Sequence, residues 1–331
     1  MGKENKTLLF GIQEAGVMHA VTDEFDIDTR FRMVKESGVY DYYDKTPSPQ
    51  DIRTYLQASE KYDLPLLAGS WFYVVGRDES LLDWHLRLCK EFDTRVHNVQ
   101  IIDRDVHGNL VSDEKVAELF LHAAEIGEKF GVTPCFEVHV NMWSEHFGRV
   151  HRVANLVEKH GVQFTMTLDH SHVIFKMDNP DEQKIQDMDV DINNGSLILD
   201  PFQEGSICQQ WIDANYIRHA HARAAIPNGP INVWSKYEGR YGRGIQYPFI
   251  KPEPGQWHGD WREENLEPWK QVIRQLFRYH ASNPNSRLKT ISTEFIPYPD
   301  YGGGAKYSLF EHSIACARWL RDEWKNVQKM Q

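Results

Sequence analysis

The sequence predicts an α/β fold in which alternating strands and helices close into a (β/α)8 barrel, a TIM barrel. Apolar, β-rich runs alternate with segments of helical periodicity along almost all of the 331 residues, and this alternation is typical of a parallel sheet covered by helices. About eight strand and helix pairs can be counted, which is near the number that a closed barrel requires. Because no linker rich in proline, serine or charge divides the chain, we expect a single domain over residues 1–331.

The predicted strands are short apolar runs that are separated by polar or helical segments. In chain order they are LLFGI (8–12), VYDYY (39–43), LPLLAGSW (64–71), VHNVQII (96–102), PCFEVHV (134–140), FTMTLDH (164–170), IRHAHA (217–222) and TISTEFI (290–296). The clearest helices span residues 112–130, 147–160, 268–280 and 309–327. Asp113 and Glu114 place acid in the first turn of the first of these helices, and Gly131 and Gly161 follow helices as C-caps commonly do.

Two long segments interrupt the alternation. Residues 227–265 follow the seventh strand and are rich in glycine, proline and the aromatic residues Trp234, Tyr237, Tyr241, Tyr247, Phe249, Trp257 and Trp261. A loop of this length is usually functional or disordered, and its aromatic content argues against disorder. We therefore expect an insertion loop over the barrel mouth; the alternative is a loop packed on the flank or at a subunit contact. Residues 177–205, after the sixth strand, are expected to form another wall of the same opening.

The composition limits the class of ligand and the compartment. A net charge of -11 argues against a nucleic-acid or anionic-membrane surface, because phosphate binding relies on clustered lysine and arginine. No stretch approaches the ~20 apolar residues of a membrane span. Cys89, Cys135, Cys208 and Cys316 are far apart and form no CxxC pair, so a cytoplasmic protein with free thiols and a small neutral substrate is the simplest expectation.

Four predicted strands in the second half of the chain each end in a side chain that can bind a metal ion. These side chains are Glu137, Asp169, His221 and Glu294. The C-terminal ends of parallel barrel strands meet at one mouth, so the four residues predict a mononuclear metal site there. A single histidine or glutamate on an apolar strand is more often a satisfied core group than a ligand, and the hypothesis depends on all four occurring together.

The order of these motifs resembles that of the xylose isomerase-like barrel superfamily of sugar isomerases, epimerases and apurinic endonucleases. The resemblance implies that Glu137, Asp169, His221 and Glu294 hold the metal and that His172, in the Asp-x-x-His motif, touches the substrate or supports the ligands. It also implies that His219 lies one layer deeper than His221, with a structural role. Three carboxylates and one imidazole suit manganese first, with magnesium or cobalt as alternatives, and without a cysteine ligand a structural zinc is not expected.

A metal site of this kind is suited to enolisation, in which a base removes a carbon-bound proton beside a carbonyl. The candidate catalytic residues are Glu137, Glu294, His139 and His172. His139 is among them because it is expected to share a strand face with Glu137. Glu145 and His146 can reach the mouth as well, although a glutamate next to Ser144 is as easily a capping residue.

Within the superfamily, the chain looks most like the catalytic subunits of bacterial C-glycoside deglycosidases. The resemblance is carried by NMWSEHF (141–147) and YPFIKPEPGQWHGDW (247–261), and it implies elimination of the aglycone from a 3-oxo-C-glycoside, a small β-sheet partner subunit and an oligomer. We expect the sugar or glycoside to contact His172, Arg223, Trp71, Trp257 and His258. A ketose isomerase or epimerase and an inactive sugar-binding barrel remain alternatives. Arg223 lies only two residues beyond His221, which departs from the pattern of the ketose 3-epimerases.

Overall fold

The computed structural model of the chain describes residues 6–330, and its centre is a closed barrel of parallel strands. The ten strands of these residues are β1 (Leu9–Gln13), β2 (Tyr42–Asp44), β3 (Leu66–Tyr73), β4 (Val96–Ile101), β5 (Thr133–Glu137), β6 (Met166–Asp169), β7 (Ile217–Ala222), β8 (Asn232–Tyr237), β9 (Arg240–Gly242) and β10 (Thr290–Thr293). The barrel runs β1, β10, β7, β6, β5, β4, β3, β2 and closes on β1, whereas β8 and β9 form a separate antiparallel pair. The predicted (β/α)8 fold is confirmed.

The helices cover the outside of the barrel. Among residues 6–330 they are α1 (Ile27–Ser37), α2 (Ile52–Tyr62), α3 (Glu79–Leu88), α4 (Asp113–Phe130), α5 (Gly148–Glu158), α6 (Ser171–Ile174), α7 (Pro180–Gln183), α8 (Met188–Asn193), α9 (Ile207–Asp213), α10 (Glu267–Ser282) and α11 (Leu309–Lys329). The four helices predicted from the sequence are α4, α5, α10 and α11, and their ends agree within two residues. Ser112 caps α4 by accepting a hydrogen bond from the backbone N–H of Lys115, and Gly131 ends it at a φ of 76°.

The fifth strand is shorter than predicted. Strand β5 ends at Glu137, so His139 lies in the loop that follows and not on the strand. The reason is local: the Ser144 hydroxyl donates to the carbonyl oxygen of Glu137 at 2.6 Å and accepts from the backbone N–H of His139 at 3.1 Å. The Ser144 side chain thus bonds the carbonyl of Glu137 and the N–H of His139, which in a longer strand would bond to a neighbouring strand. The chain therefore leaves the sheet after Glu137.

The segment predicted as an aromatic loop, residues 227–265, contains the β8–β9 pair and then an irregular stretch. The irregular part packs on the ends of the barrel strands, because the backbone N–H of Tyr247 donates to the carbonyl of Ala224, 2.8 Å away. Tyr247 and Phe249 are buried. Gly244 has a φ of 76°, and a Cβ built on it would lie 1.4 Å from the carbonyl oxygen of Pro230, so no other residue fits this turn.

Residues 177–205, the second segment that interrupts the predicted alternation, contain the short helices α7 and α8. Within residues 6–330, no helix combines the length and the apolar character that crossing a membrane requires.

A buried ionic network joins the loops that follow β5, β6 and β7. Lys176 is fully buried, and its Nζ lies 2.9 Å from Glu145 Oε1. Arg243 Nη2 lies 2.8 Å from the same oxygen and also pairs with Glu182. Burial raises the pKa of Glu145, but Lys176 and Arg243 outweigh burial and hold that pKa at about 2. The carboxylate therefore stays charged, and the network fixes the long loop to its neighbours.

We expect Lys176→Met to lower the free energy of unfolding by about 3 kcal/mol, because it leaves buried carboxylates short of a partner while keeping the side-chain volume. Lys184→Met is the matched control: this exposed lysine pairs with exposed Asp181, and its loss should change stability by less than ~0.5 kcal/mol. Calorimetric unfolding of the two variants measures the difference. Equal stability of both variants would show that the network does not hold the loops.

Candidate functional site

The C-terminal ends of four consecutive barrel strands bring the predicted metal ligands together. Glu137 ends β5, Asp169 ends β6, His221 lies near the end of β7, and Glu294 follows β10 directly. All four are buried, and one ligand atom from each lies within 4.8 Å of the others. Because β5, β6, β7 and β10 are neighbours in the barrel, strand pairing alone brings these four side chains close together.

His221 is the centre of the cluster. Its Nδ1 lies 2.8 Å from Glu137 Oε1 and 3.2 Å from Glu294 Oε2. Its Nε2 points the other way and lies 3.7 Å from Asp44 Oδ2. The Nδ1 atom is therefore the one that faces the carboxylates, and Asp44 stands behind the ring.

Arg223 bridges two of the four residues from within the barrel mouth. Its Nη2 lies 3.0 Å from Asp169 Oδ2 and also contacts Glu294 Oε2. Its Nε donates to the carbonyl oxygen of Glu294 at 3.0 Å, and its Nη1 donates to Ser171 Oγ at 3.2 Å. The side chain, expected from the sequence to contact the substrate, is thus fully occupied by the cluster and its neighbours.

Uncharged donors orient the carboxylates further. Asn98 Nδ2 donates to Glu137 Oε2 at 2.7 Å, and Gln100 contacts the same oxygen. The backbone N–H and the hydroxyl of Ser171 both donate to Asp169 Oδ1, at 3.0 and 2.6 Å. Glu137 and Asp169 therefore each keep one oxygen directed at the cluster.

The charges of the cluster do not cancel. Burial lowers the pKa of His221, but Glu294 and Glu137 outweigh burial and raise it well above its ordinary value. Burial raises the pKa of Asp169, yet Arg223 and His172 hold it well below the usual range. With a protonated His221 and Arg223, two positive charges face three carboxylates. One buried negative charge remains uncompensated within this group.

The donor set fits a divalent cation. Asp169 Oδ2 lies within ion-pair distance of Arg223 but accepts no well-aligned hydrogen bond, so it keeps a free lone pair. Opposite ligands at ~2.1 Å from an ion lie about 4.2 Å apart, so the 4.8 Å spread of the ligand atoms requires only a small contraction. Three oxygens and one imidazole nitrogen suit Mn²⁺, Mg²⁺ or Co²⁺.

A second polar group lies one layer deeper in the barrel. His219 Nε2 lies 3.5 Å from Asp44 Oδ2, and its Nδ1 lies 2.8 Å from Thr290 Oγ1. The Ser292 hydroxyl donates to the same Asp44 oxygen at 2.5 Å. Burial raises the pKa of Asp44, but its bonds to His219 and His221 hold it far below the usual range. The charged Asp44 can therefore orient the His221 ring.

His139 and His172 lie side by side at the edge of the cluster, with ring centroids 4.1 Å apart. His139 Nδ1 lies 2.6 Å from the carbonyl oxygen of Val140, which can only accept, so Nδ1 carries the proton. Its Nε2 lies 3.1 Å from the Tyr301 hydroxyl. Burial, followed by His172, lowers the pKa of His139 to about 3. The ring is therefore neutral, with the lone pair on Nε2.

The remaining predicted residues lie in other surroundings. Trp257 and His258 belong to an aromatic group with Trp234, and the rings of Trp257 and His258 are 4.0 Å apart. Trp71 stacks on Phe72 with centroids 5.5 Å apart. The contacts of residues 6–330 do not bring these three side chains against the four-residue cluster.

Glu145 and His146 also lie away from the cluster. Glu145 belongs to the buried ionic network, and its Oε2 accepts from the backbone N–H of Asn141. His146 Nε2 lies 3.5 Å from Asp191 Oδ2.

Five residues of the site were not identified from the sequence: Asp44, Asn98, Gln100, Ser171 and Tyr301. Asp44 stands at the tip of the second strand, just as Glu137 and Asp169 do at theirs, and the same rule could have found it. Asn98 and Gln100 are alternate polar residues in an apolar strand, which is a recognisable signal of an interior polar layer. Tyr301 lies in a loop with no periodic signal.

The closed barrel and its helices have the xylose isomerase-like TIM barrel fold. No protein-family model matches the sequence, and no curated protein matches it. Among solved structures, the chain is similar to a xylose isomerase-like TIM barrel protein from Mycobacterium smegmatis in complex with magnesium, at 11% identity and a TM-score of 0.57, covering 97% of this chain and 98% of that one.

Two further solved structures are similar at 14% identity, each over 97% of this chain and 99% of the other. One is D-psicose 3-epimerase with D-tagatose from Clostridium cellulolyticum H10, with a TM-score of 0.54. The other is the IOLI protein with a binding zinc atom, with a TM-score of 0.53. At these identities the similarity establishes the fold.

We expect Asp44→Asn to weaken the binding of a divalent ion about 10- to 100-fold, because His221 loses the charge behind its ring. Calorimetric titration of the metal-free chain with Mn²⁺ measures the affinity. Asp93→Asn is the matched control, since Asp93 is exposed and precedes β4 at the other end of the barrel. Unchanged affinity in Asp44→Asn would mean that Asp44 has no influence on the ion.

Proposed function

We propose that the chain is a divalent-metal-dependent sugar enzyme that removes a proton from a carbon atom next to a carbonyl. The observation that carries the proposal is the buried cluster of Glu137, Asp169, His221 and Glu294, within 4.8 Å of one another, beside the neutral His139. A divalent ion, for which Mn²⁺ is the first choice and Mg²⁺ or Co²⁺ the alternatives, would stabilise the negative charge that develops on the substrate oxygen.

His139 is the proposed base. Its Nε2 has a lone pair and faces only the Tyr301 hydroxyl, which a substrate can displace. A pKa of about 3 makes the imidazole a weak base, so it can remove only a proton that a neighbouring carbonyl already acidifies. His172 is placed to contact the same substrate atoms, since the centroid of its ring lies 4.1 Å from that of His139, with the two ring planes tilted by 52°.

The two glutamates are less suited to proton transfer. Glu294 contacts the guanidinium of Arg223, and Glu137 is bonded to His221, Asn98 and Gln100. These partners favour the charged form and leave little freedom of movement. We therefore assign Glu137 and Glu294 to ion binding, and we assign Arg223 to orienting the carboxylates instead of the substrate.

A single free base favours reactions in which one proton leaves from one face. Epimerisation needs proton exchange on both faces of the carbon, whereas elimination and aldose–ketose isomerisation need one base. The single base argues against an epimerase and is compatible with the function that we propose first, a C-glycoside deglycosidase that cleaves a 3-oxo-C-glycoside by elimination. The aromatic group around Trp257 and His258 offers flat surfaces for an aglycone.

The accompanying proposals are a small β-sheet partner subunit, an oligomer and a cytoplasmic location. The first two follow from the resemblance in the loops after β5 and β7. The cytoplasmic location is supported by four buried free thiols, since a reducing compartment keeps cysteines unpaired. They are Cys89, Cys135, Cys208 and Cys316.

The second candidate is a sugar isomerase or epimerase. It is favoured by the fold similarity to D-psicose 3-epimerase with D-tagatose and to L-ribulose 3-epimerase, the latter with a TM-score of 0.56 at 11% identity. In an epimerase, Glu137 or Glu294 would have to release its partners to act as a second base, whereas an aldose–ketose isomerase would need only His139.

Incubation with Mn²⁺ in heavy water separates the candidates. A 3-oxo-C-glycoside that loses its aglycone supports the deglycosidase, and a free ketose that gains deuterium and interconverts with another sugar supports the isomerase or epimerase. The assays are run with and without the small β-rich protein encoded beside this chain, where one exists. If the chain binds the metal but exchanges no carbon-bound proton in any carbonyl sugar, the remaining interpretation is an inactive sugar-binding barrel.

We expect His139→Ala to lower the rate of proton removal about 10²- to 10⁴-fold while the bound metal is retained. Glu137→Gln should instead lose both metal and turnover. Solvent deuterium incorporation and metal content measure the two effects, and His107→Ala, at an exposed histidine, is the control. Loss of metal in His139→Ala would make that residue a ligand and contradict its assignment as the base.

A further inference from the structure

The end of the barrel opposite the candidate metal site contains a cavity of about 630 Å³. Its walls include the first residues of three barrel strands, Leu9 of β1, Val96 of β4 and Thr290 of β10, together with Arg218 near the start of β7. The cavity is therefore the N-terminal mouth of the barrel. Its volume lies in the range of about 300–1,000 Å³ that small-molecule sites occupy.

The charge of this cavity is opposite to that of the chain. Four cationic side chains line it, Lys6, Arg95, Arg218 and Lys289, and among residues 6–330 no carboxylate lines it. None of the four pairs with a carboxylate among residues 6–330. In a chain with 48 acidic and 37 basic residues, four cations that have no acidic partner in the described part of the chain form a positively charged site.

Donors remain available in the walls. Arg218 Nη1 donates to the carbonyl oxygen of Arg287 at 3.3 Å, but its buried Nε has no hydrogen-bond partner. His280 is 1% exposed and its Nδ1 lies 2.9 Å from Ser286 Oγ, whereas its Nε2 has no partner. Burial, followed by Lys6 and Lys289, lowers the pKa of His280 to about 3. These buried residues of the wall therefore add no negative charge, and Arg218 Nε and His280 Nε2 are left without a hydrogen-bond partner.

We propose that this cavity is a binding site for a small phosphorylated metabolite, held by Arg95 and Arg218 with Lys6 and Lys289 around it. Guanidinium groups match phosphate oxygens with two parallel hydrogen bonds, and the hydroxyls of Thr7 and Ser286 line the same walls. The cavity is larger than a bare phosphate needs, which leaves room for the organic part. The site does not depend on the reaction at the other end of the barrel.

Calorimetric titration of the full chain with inorganic pyrophosphate tests the proposal. The titration is run at constant ionic strength without added divalent ions, so that the probe cannot bind through a metal. We expect saturable binding of one pyrophosphate per chain. Arg218→Gln combined with Arg95→Gln should weaken it by about tenfold or more for each arginine, because each removes charge-assisted hydrogen bonds.

The matched control is Arg240→Gln combined with Lys251→Gln. Both residues are exposed, lie in the segment after β7 and have no ion-pair partner in the described part of the chain. The control pair changes the net charge equally and should leave the affinity unchanged. Equal weakening by both pairs, or no saturation at millimolar pyrophosphate, overturns the proposal. So does an acidic peptide, such as hexaglutamate, that binds at this site more tightly than pyrophosphate.

Discussion

Three carboxylates buried in one small volume require positive charge beside them, and the barrel mouth is organised around that requirement. Glu137, Asp169 and Glu294 lie within 4.8 Å of the His221 ligand atom. Arg223 supplies one positive charge, and a protonated His221 supplies a second while no ion is bound. A divalent ion would bind the neutral imidazole of His221 and bring two charges in place of that proton. Neutral donors such as Asn98 orient the carboxylates without altering this balance. The cluster is thus costly to bury without a cation and stable with one.

Closure of a parallel barrel determines where these charges can lie. All eight strands point the same way, so every residue at a C-terminal tip faces one mouth and every residue at an N-terminal start faces the other. His219 lies in the interior between them, next to Asp44 at the end of β2, and the Thr290 hydroxyl links His219 to the N-terminal end. The two ends carry opposite charge, acidic around Glu137 and basic around Arg218.

Regular spacing explains which parts were predictable from the sequence. The barrel and the four candidate ligands follow from strands whose tips carry polar residues, because one rule applies to each strand. The length of β5 was predicted wrongly, since the hydrogen bond from the Ser144 hydroxyl to the Glu137 carbonyl depends on the turn between them and has no periodic signal in the sequence. The engagement of Arg223 by Asp169 was likewise not predictable, because it depends on a side-chain direction inside the mouth.

The long segment after β7 contributes to the site because its hydrogen bonds hold another loop in place. The amide of Asn232 donates to the carbonyl oxygens of Pro299, Tyr301 and Gly303, at 3.0, 3.1 and 2.8 Å. One side chain thereby fixes the loop after β10 that carries Tyr301. The Tyr301 hydroxyl contacts His139, and its ring lies 4.3 Å from the guanidinium of Arg223. Because the β8–β9 pair holds Tyr301 in place, the insertion acts on the proposed base without contacting it.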